Sequence, residues 1–129
     1  MPIVSQDILD CASEMTKATK GIEAFVRAAV ARSYYAAFHD CLEWHSSLPA
    51  QGHLPPKFLE RGTHVELAFR LLNPDQSLSK DLQESSKKRG LALRNLHADR
   101  VVADYKLSRT VNAYEARTAL ASARKIVSL

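Results

Sequence analysis

Residues 92–107 read ALRNLHADRVVADYKL and concentrate side chains that could act on an anion. On a helix, His97, Arg100 and Asp104 fall at i, i+3 and i+7 and share one face, with Arg94, Val101 and Tyr105 along an adjoining stripe. Arginine holds its charge at any working pH and offers a planar fork of donors to a phosphate. His97 is of the type that exchanges a proton near neutrality, and Asp104 is placed to orient Arg100. The competing reading of the same spacing is an i, i+4 ion pair between Arg100 and Asp104, worth a few tenths of a kcal/mol (~0.3), with His97 at its rim.

A second set stands in RAAVARSYYAAFHD, residues 27–40. Arg32, Tyr35 and His39 recur at i, i+3 and i+7 and define a polar line, while Tyr34, Phe38 and Leu42 define an apolar one. An arginine amid so much alanine is expected to find a carboxylate or a bound anion. The alternative makes Tyr35 and His39 satisfied core or interface residues. Lys87 and Lys88, in the run KKR, precede the Arg94–Arg100 stretch and extend its positive field. His53 and His64 stand alone in sequence, and lone histidines are usually structural or solvent-exposed.

These residues sit in a chain of 129 residues with 46% apolar and 25% charged residues, a formal charge of +4 and a pI near 9.2. That length suits one domain with one core, spanning 1–129. The basic balance is compatible with nucleic acid and is mild. Cys11 and Cys41 form no CxxC or Cys/His set, so no zinc site is expected and reduced thiols are. No cofactor motif is present: there is no glycine-rich phosphate loop, no G-x-S-x-G and no acidic metal cluster. The opening MPIVSQDILDCASEM has neither a basic start nor an apolar run, and no stretch reaches the ~20 apolar residues that span a bilayer, so a cytoplasmic protein without membrane association is expected.

The elements that must position the site are all helical. The spacing predicts helices over about 5–20, with Ser5 as cap, 22–45, 57–72, 77 or 79 to 105, and 108 or 110 to 127. Gly21 marks a break after the first. SSLPAQGHLPP (46–56) is a loop, the segment expected to be most mobile, and Pro74 ends the third helix. Gly90 inside the fourth costs about 1 kcal/mol relative to Ala and suggests a bend or break. With no lasting strand alternation, the reading is an all-α bundle of four to five helices.

RSYYAAFH (32–39) followed by RVVADY (100–105), with THVELAF (63–69) between them, resembles the small prokaryotic branch of the HEPN family (higher eukaryotes and prokaryotes nucleotide-binding). The resemblance covers roughly residues 20 to 125. It implies an up-and-down bundle, commonly a homodimer, in which the arginine helices meet across a cleft. Many members are metal-independent endoribonucleases of toxin–antitoxin, phage-defence or CRISPR systems, and members of this branch often stand beside a minimal nucleotidyltransferase that serves as antitoxin. Carried onto this chain, the resemblance implies Arg100, with His97, Asp104 and Tyr105, as the residues acting on RNA. Arg32, Tyr35, His39, Arg94, Lys87 and Lys88 would bind the RNA or nucleotide. The family signature has a histidine where this chain has Tyr105, a poor base at pH 7 with its ordinary pKa of about 10. The alternative implication is a non-catalytic module that binds RNA, a nucleotide or a nucleotidyltransferase partner.

Overall fold

The computed structural model describes residues 3–18, 22–56 and 62–129. Five helices pack together, with no strand among the described residues: α1 (Ser5–Ala18), α2 (Glu23–Ser46), α3 (Thr63–Leu72), α4 (Lys80–Tyr105) and α5 (Ala113–Val127). Their order and approximate bounds follow the apolar spacing. Gly21 and the first residues of the expected 57–72 helix, 57–61, lie outside the described residues.

α2 is central because its sequence leaves it little polar face. Val26, Ala29, Val30, Ser33, Tyr34, Ala36, Ala37 and Cys41 are all buried, and the helix touches each of the other four. Alanine-rich stretches permit this close approach on several sides at once. α1 and α5 lie against it and against each other, and α4 bridges α2, α3 and α5. Leu71, Leu93, Leu96, Leu120 and Ile126 complete the core. Cys11 and Cys41 are free thiols, the first exposed and the second buried.

Several boundaries differ from the expected ones for identifiable reasons. Ser5 opens α1, but its hydroxyl donates to Asp40 Oδ1 at 3.3 Å, and the Asp7 carboxylate instead accepts from the Val4 N–H at 2.9 Å. α3 starts only at Thr63, because Gly62 takes φ 92° at its N-cap, a conformation open to glycine. α5 starts at Ala113: Asn112 caps it by accepting from the Glu115 N–H at 2.9 Å. Val111 before it is buried, with its N–H donated to Glu23 Oε1 at 2.7 Å.

α4 runs unbroken through Gly90. α3 crosses there so closely that a Cβ on Gly90 would lie 2.9 Å from Leu72 N and Cγ and 3.0 Å from Leu71 Cβ. The glycine serves helix contact. Gly52 in the 46–56 loop is likewise packed against the Arg70 carbonyl. That loop is tied down: Gly52 N–H donates to His45 Nε2 at 3.0 Å, Arg70 Nη1 donates to Gly52 O at 2.9 Å, and His53 N–H donates to Asn73 O at 2.8 Å.

Two buried arginines fix the frame around the candidate site. Arg27 of α2 is 8% exposed and donates to the carbonyls of Val102, Ala103, Lys106 and Arg109. A cation at the carbonyl end of a helix offsets its dipole and its unpaired acceptors, so Arg27 closes the C-terminus of α4. Arg89 is 2% exposed. It pairs with Asp40, donates to Leu129 O at 3.2 Å and lies over the Trp44 ring at 4.6 Å.

Candidate anion site at the junction of α2, α3 and α4

Arg100 organises the cluster. Its Nε donates to Asp104 Oδ2 at 3.0 Å and its Nη2 to the Tyr35 hydroxyl at 3.0 Å. The guanidinium carbon lies 5.9 Å from the centre of the Tyr34 ring, 5.3 Å from Tyr35 and 5.6 Å from Tyr105. The side chain is 15% exposed. Nη1 makes no hydrogen bond to any described residue, and it is not sealed from solvent, since the one enclosed and unpartnered side-chain atom among those residues is Arg89 Nε. A guanidinium oriented by two partners, with donors to spare, is preorganised to take an anion.

Beside it lies an imidazole pair the sequence did not single out as a unit. His64 Nδ1 and the Tyr34 hydroxyl are 2.6 Å apart. The His64 and His97 rings stack at 6.2 Å with an interplanar angle of 22°. Tyr34 is edge-on to His97 at 5.5 Å, and Phe38 touches His64 at 4.4 Å between ring centres. Burial, then the charge of Arg100 and the neighbouring His97 and His39, pushes the His64 pKa below its usual value. Burial and Arg100 do the same to His97. Both rings are therefore neutral at pH 7. Burial raises the Tyr34 pKa, so that hydroxyl stays protonated.

The structure thus brings together Arg100, Asp104, His97, Tyr35, His39 and Tyr105 from the sequence-derived set. His39 stacks on Tyr35 at 6.5 Å and faces a shallow 420 Å³ groove with Ile3, Ile8 and Leu42. Tyr105 is 69% exposed. Arg32 lies on the same stripe of α2, but it is exposed and makes no ion pair or hydrogen bond among the described residues. The carboxylate expected for it is not there among the described residues. Arg94 is exposed as well. Lys87 and Lys88 line other clefts, about 18 Å along α4 from Arg100 at 1.5 Å per residue.

Sequence reasoning missed Tyr34 and His64 as members. The available signal was Tyr34 itself: a tyrosine amid buried alanines must find a partner for its hydroxyl, and a histidine elsewhere is the natural candidate.

A cleft of about 630 Å³ lies elsewhere, lined by His53, Pro55, Pro74, Asp75 and Lys87 among others. Asp75 contacts His53 Nε2 at 2.7 Å and accepts from the Ser77 N–H and hydroxyl, and those bonds hold its carboxyl at about 2. The serine faces the carboxylate rather than the imidazole, so this is a turn and not a nucleophile–base pair. Among the described residues no group of His, Cys, Asp or Glu is arranged to hold a metal ion, and no helix is long and apolar enough to cross a membrane.

No family model, curated protein or solved structure matches the chain.

Proposed function

We propose that this chain is an RNA-directed protein of HEPN type, an up-and-down bundle working as a homodimer, in which Arg100 holds a phosphate. The observation that carries the reading is the guanidinium fixed by Tyr35 and Asp104 with Nη1 left open. Tyrosine and histidine rings beside it give bases a surface to stack on. The reaction would be metal-independent cleavage, by attack of the ribose 2′-hydroxyl on the adjacent phosphate, with Arg100 stabilising the developing charge. A toxin of a toxin–antitoxin or phage-defence system, partnered by a nucleotidyltransferase, fits this activity.

The second reading is a non-catalytic module that binds RNA, a nucleotide or a nucleotidyltransferase. It is favoured by one observation: the position of the signature histidine holds an exposed tyrosine, Tyr105, in place of an imidazole. Incubating the wild type and Arg100→Ala with mixed RNA in EDTA separates the two. Cleavage by wild type alone supports the nuclease. Binding without cleavage, weakened by the substitution, supports the module. Neither binding nor cleavage refutes both.

A further inference from the structure

A nuclease lacking the signature histidine needs another group to take the 2′-hydroxyl proton. Phenols are poor bases at neutral pH, and Asp104 is engaged by Arg100. Of the imidazoles near Arg100, His39 is exposed and holds only ring contacts, while His97 is fixed by ring packing alone. His64 differs. It reaches the cluster from α3, is half-buried, and has one ring nitrogen engaged by Tyr34 at 2.6 Å. A hydrogen bond at one nitrogen sets which tautomer the ring adopts and fixes its orientation.

We propose that His64 is the general base of the site and that its substrate class is single-stranded RNA. This rests on the RNA-directed reading above. The role requires the tautomer with its hydrogen on Nδ1, donated to the Tyr34 oxygen, which leaves the Nε2 lone pair free. Nε2 takes the proton of the 2′-hydroxyl as O2′ bonds to phosphorus, and the P–O5′ bond breaks with its electron pair on O5′. That oxygen takes a proton from solvent, and His64 then gives its own to solvent. The products are a 2′,3′-cyclic phosphate and a 5′-hydroxyl, with no oxidant or co-reactant consumed. Single strands are favoured because the exposed Tyr105 ring beside Arg100 offers a platform only to an unpaired base.

His64 is faced by Tyr34, Tyr35, Phe38 and His39 from α2 and by His97 and Arg100 from α4. Burial and then the charge of Arg100 oppose its protonation, so it is the free base at pH 7.

The test uses the full chain, a single-stranded mixed-sequence RNA in EDTA, and an all-2′-deoxy analogue as a non-cleavable binding probe. Wild-type cleavage should rise with pH to a plateau, with its midpoint below 6.5. His64→Gln, which keeps a hydrogen-bonding partner for Tyr34, should cleave about 10²–10⁴-fold more slowly while binding the probe within about threefold of wild type. Tyr34→Phe should slow cleavage less and move the midpoint. Cleavage lost in Tyr105→Phe and kept in His64→Gln would assign the base to Tyr105 and overturn the proposal. So would wild-type rates in His64→Gln, or equal loss of binding and cleavage there. Wild type that binds RNA without cutting it overturns the base but spares the binding reading. Wild type that neither binds nor cuts removes both.

Discussion

Arg89 of α4 and Asp40 of α2 form the most enclosed ion pair among the described residues, with Nη1 and Oδ2 2.9 Å apart and the side chains 3% and 21% exposed. Breaking it strands a cation in the core, because Arg89 Nε already lacks a partner. Asp40→Ala should therefore destabilise the fold by about 3–5 kcal/mol, measured by urea unfolding. Trp44 is the sole tryptophan and stacks on Arg89, so its fluorescence reports the transition directly.

Arg100→Ala should behave differently. Asp104 is 31% exposed and Tyr35 is partly exposed, so water replaces the lost donors. The expected loss is about 1 kcal/mol or less, and circular dichroism should show native helicity. A cost near that of Asp40→Ala would make Arg100 chiefly a structural residue.

Acid should weaken the protein below pH 6.5. His45, His64 and His97 all have folded-state pKa values pushed down, by burial first and then by Arg70 at His45 and Arg100 at the other two. The unfolded chain therefore binds protons first, so stability is complete above about 6.5 and is lost as pH falls through the folded values. Protonating His45 also removes the acceptor for the Gly52 N–H. The melting temperature should fall between pH 7 and 5, and His64→Gln should flatten the slope.

Gly90→Ala tests the α3–α4 approach. Helix propensity favours alanine by about 1 kcal/mol, yet its methyl would press on the backbone nitrogen of Leu72. Overpacking of this kind costs about 1–3 kcal/mol, so a net fall in melting temperature is expected. A rise would mean that α3 yields freely.

Asn112→Ala should cost about 1 kcal/mol by leaving the Glu115 N–H without its cap, read by thermal unfolding. The control is Thr118→Ala, an exposed site on the same helix.

The helices were legible because their apolar spacing is strong and prolines punctuate it. α5 was placed early, from 108 or 110, whereas burial of Val111 and the reach of Glu23 decide the matter. The α4 half of the site was readable from one helix period: His97, Arg100 and Asp104 need only local geometry. His64 was not, since its partner Tyr34 lies thirty residues away and no local pattern encodes which helix faces meet. Gly90 misled for the same reason, a local cost accepted for a contact with a different helix.

Arg27 bonds to carbonyls 75 to 82 positions away, and Glu23 meets Val111 at a separation of 88. These bonds cannot close until α2 and the end of α4 are both made and a long loop has paid its closure entropy. The first turns of α2 are thus expected to close as a clasp late in folding. Substitutions there should hasten unfolding far more than they slow refolding.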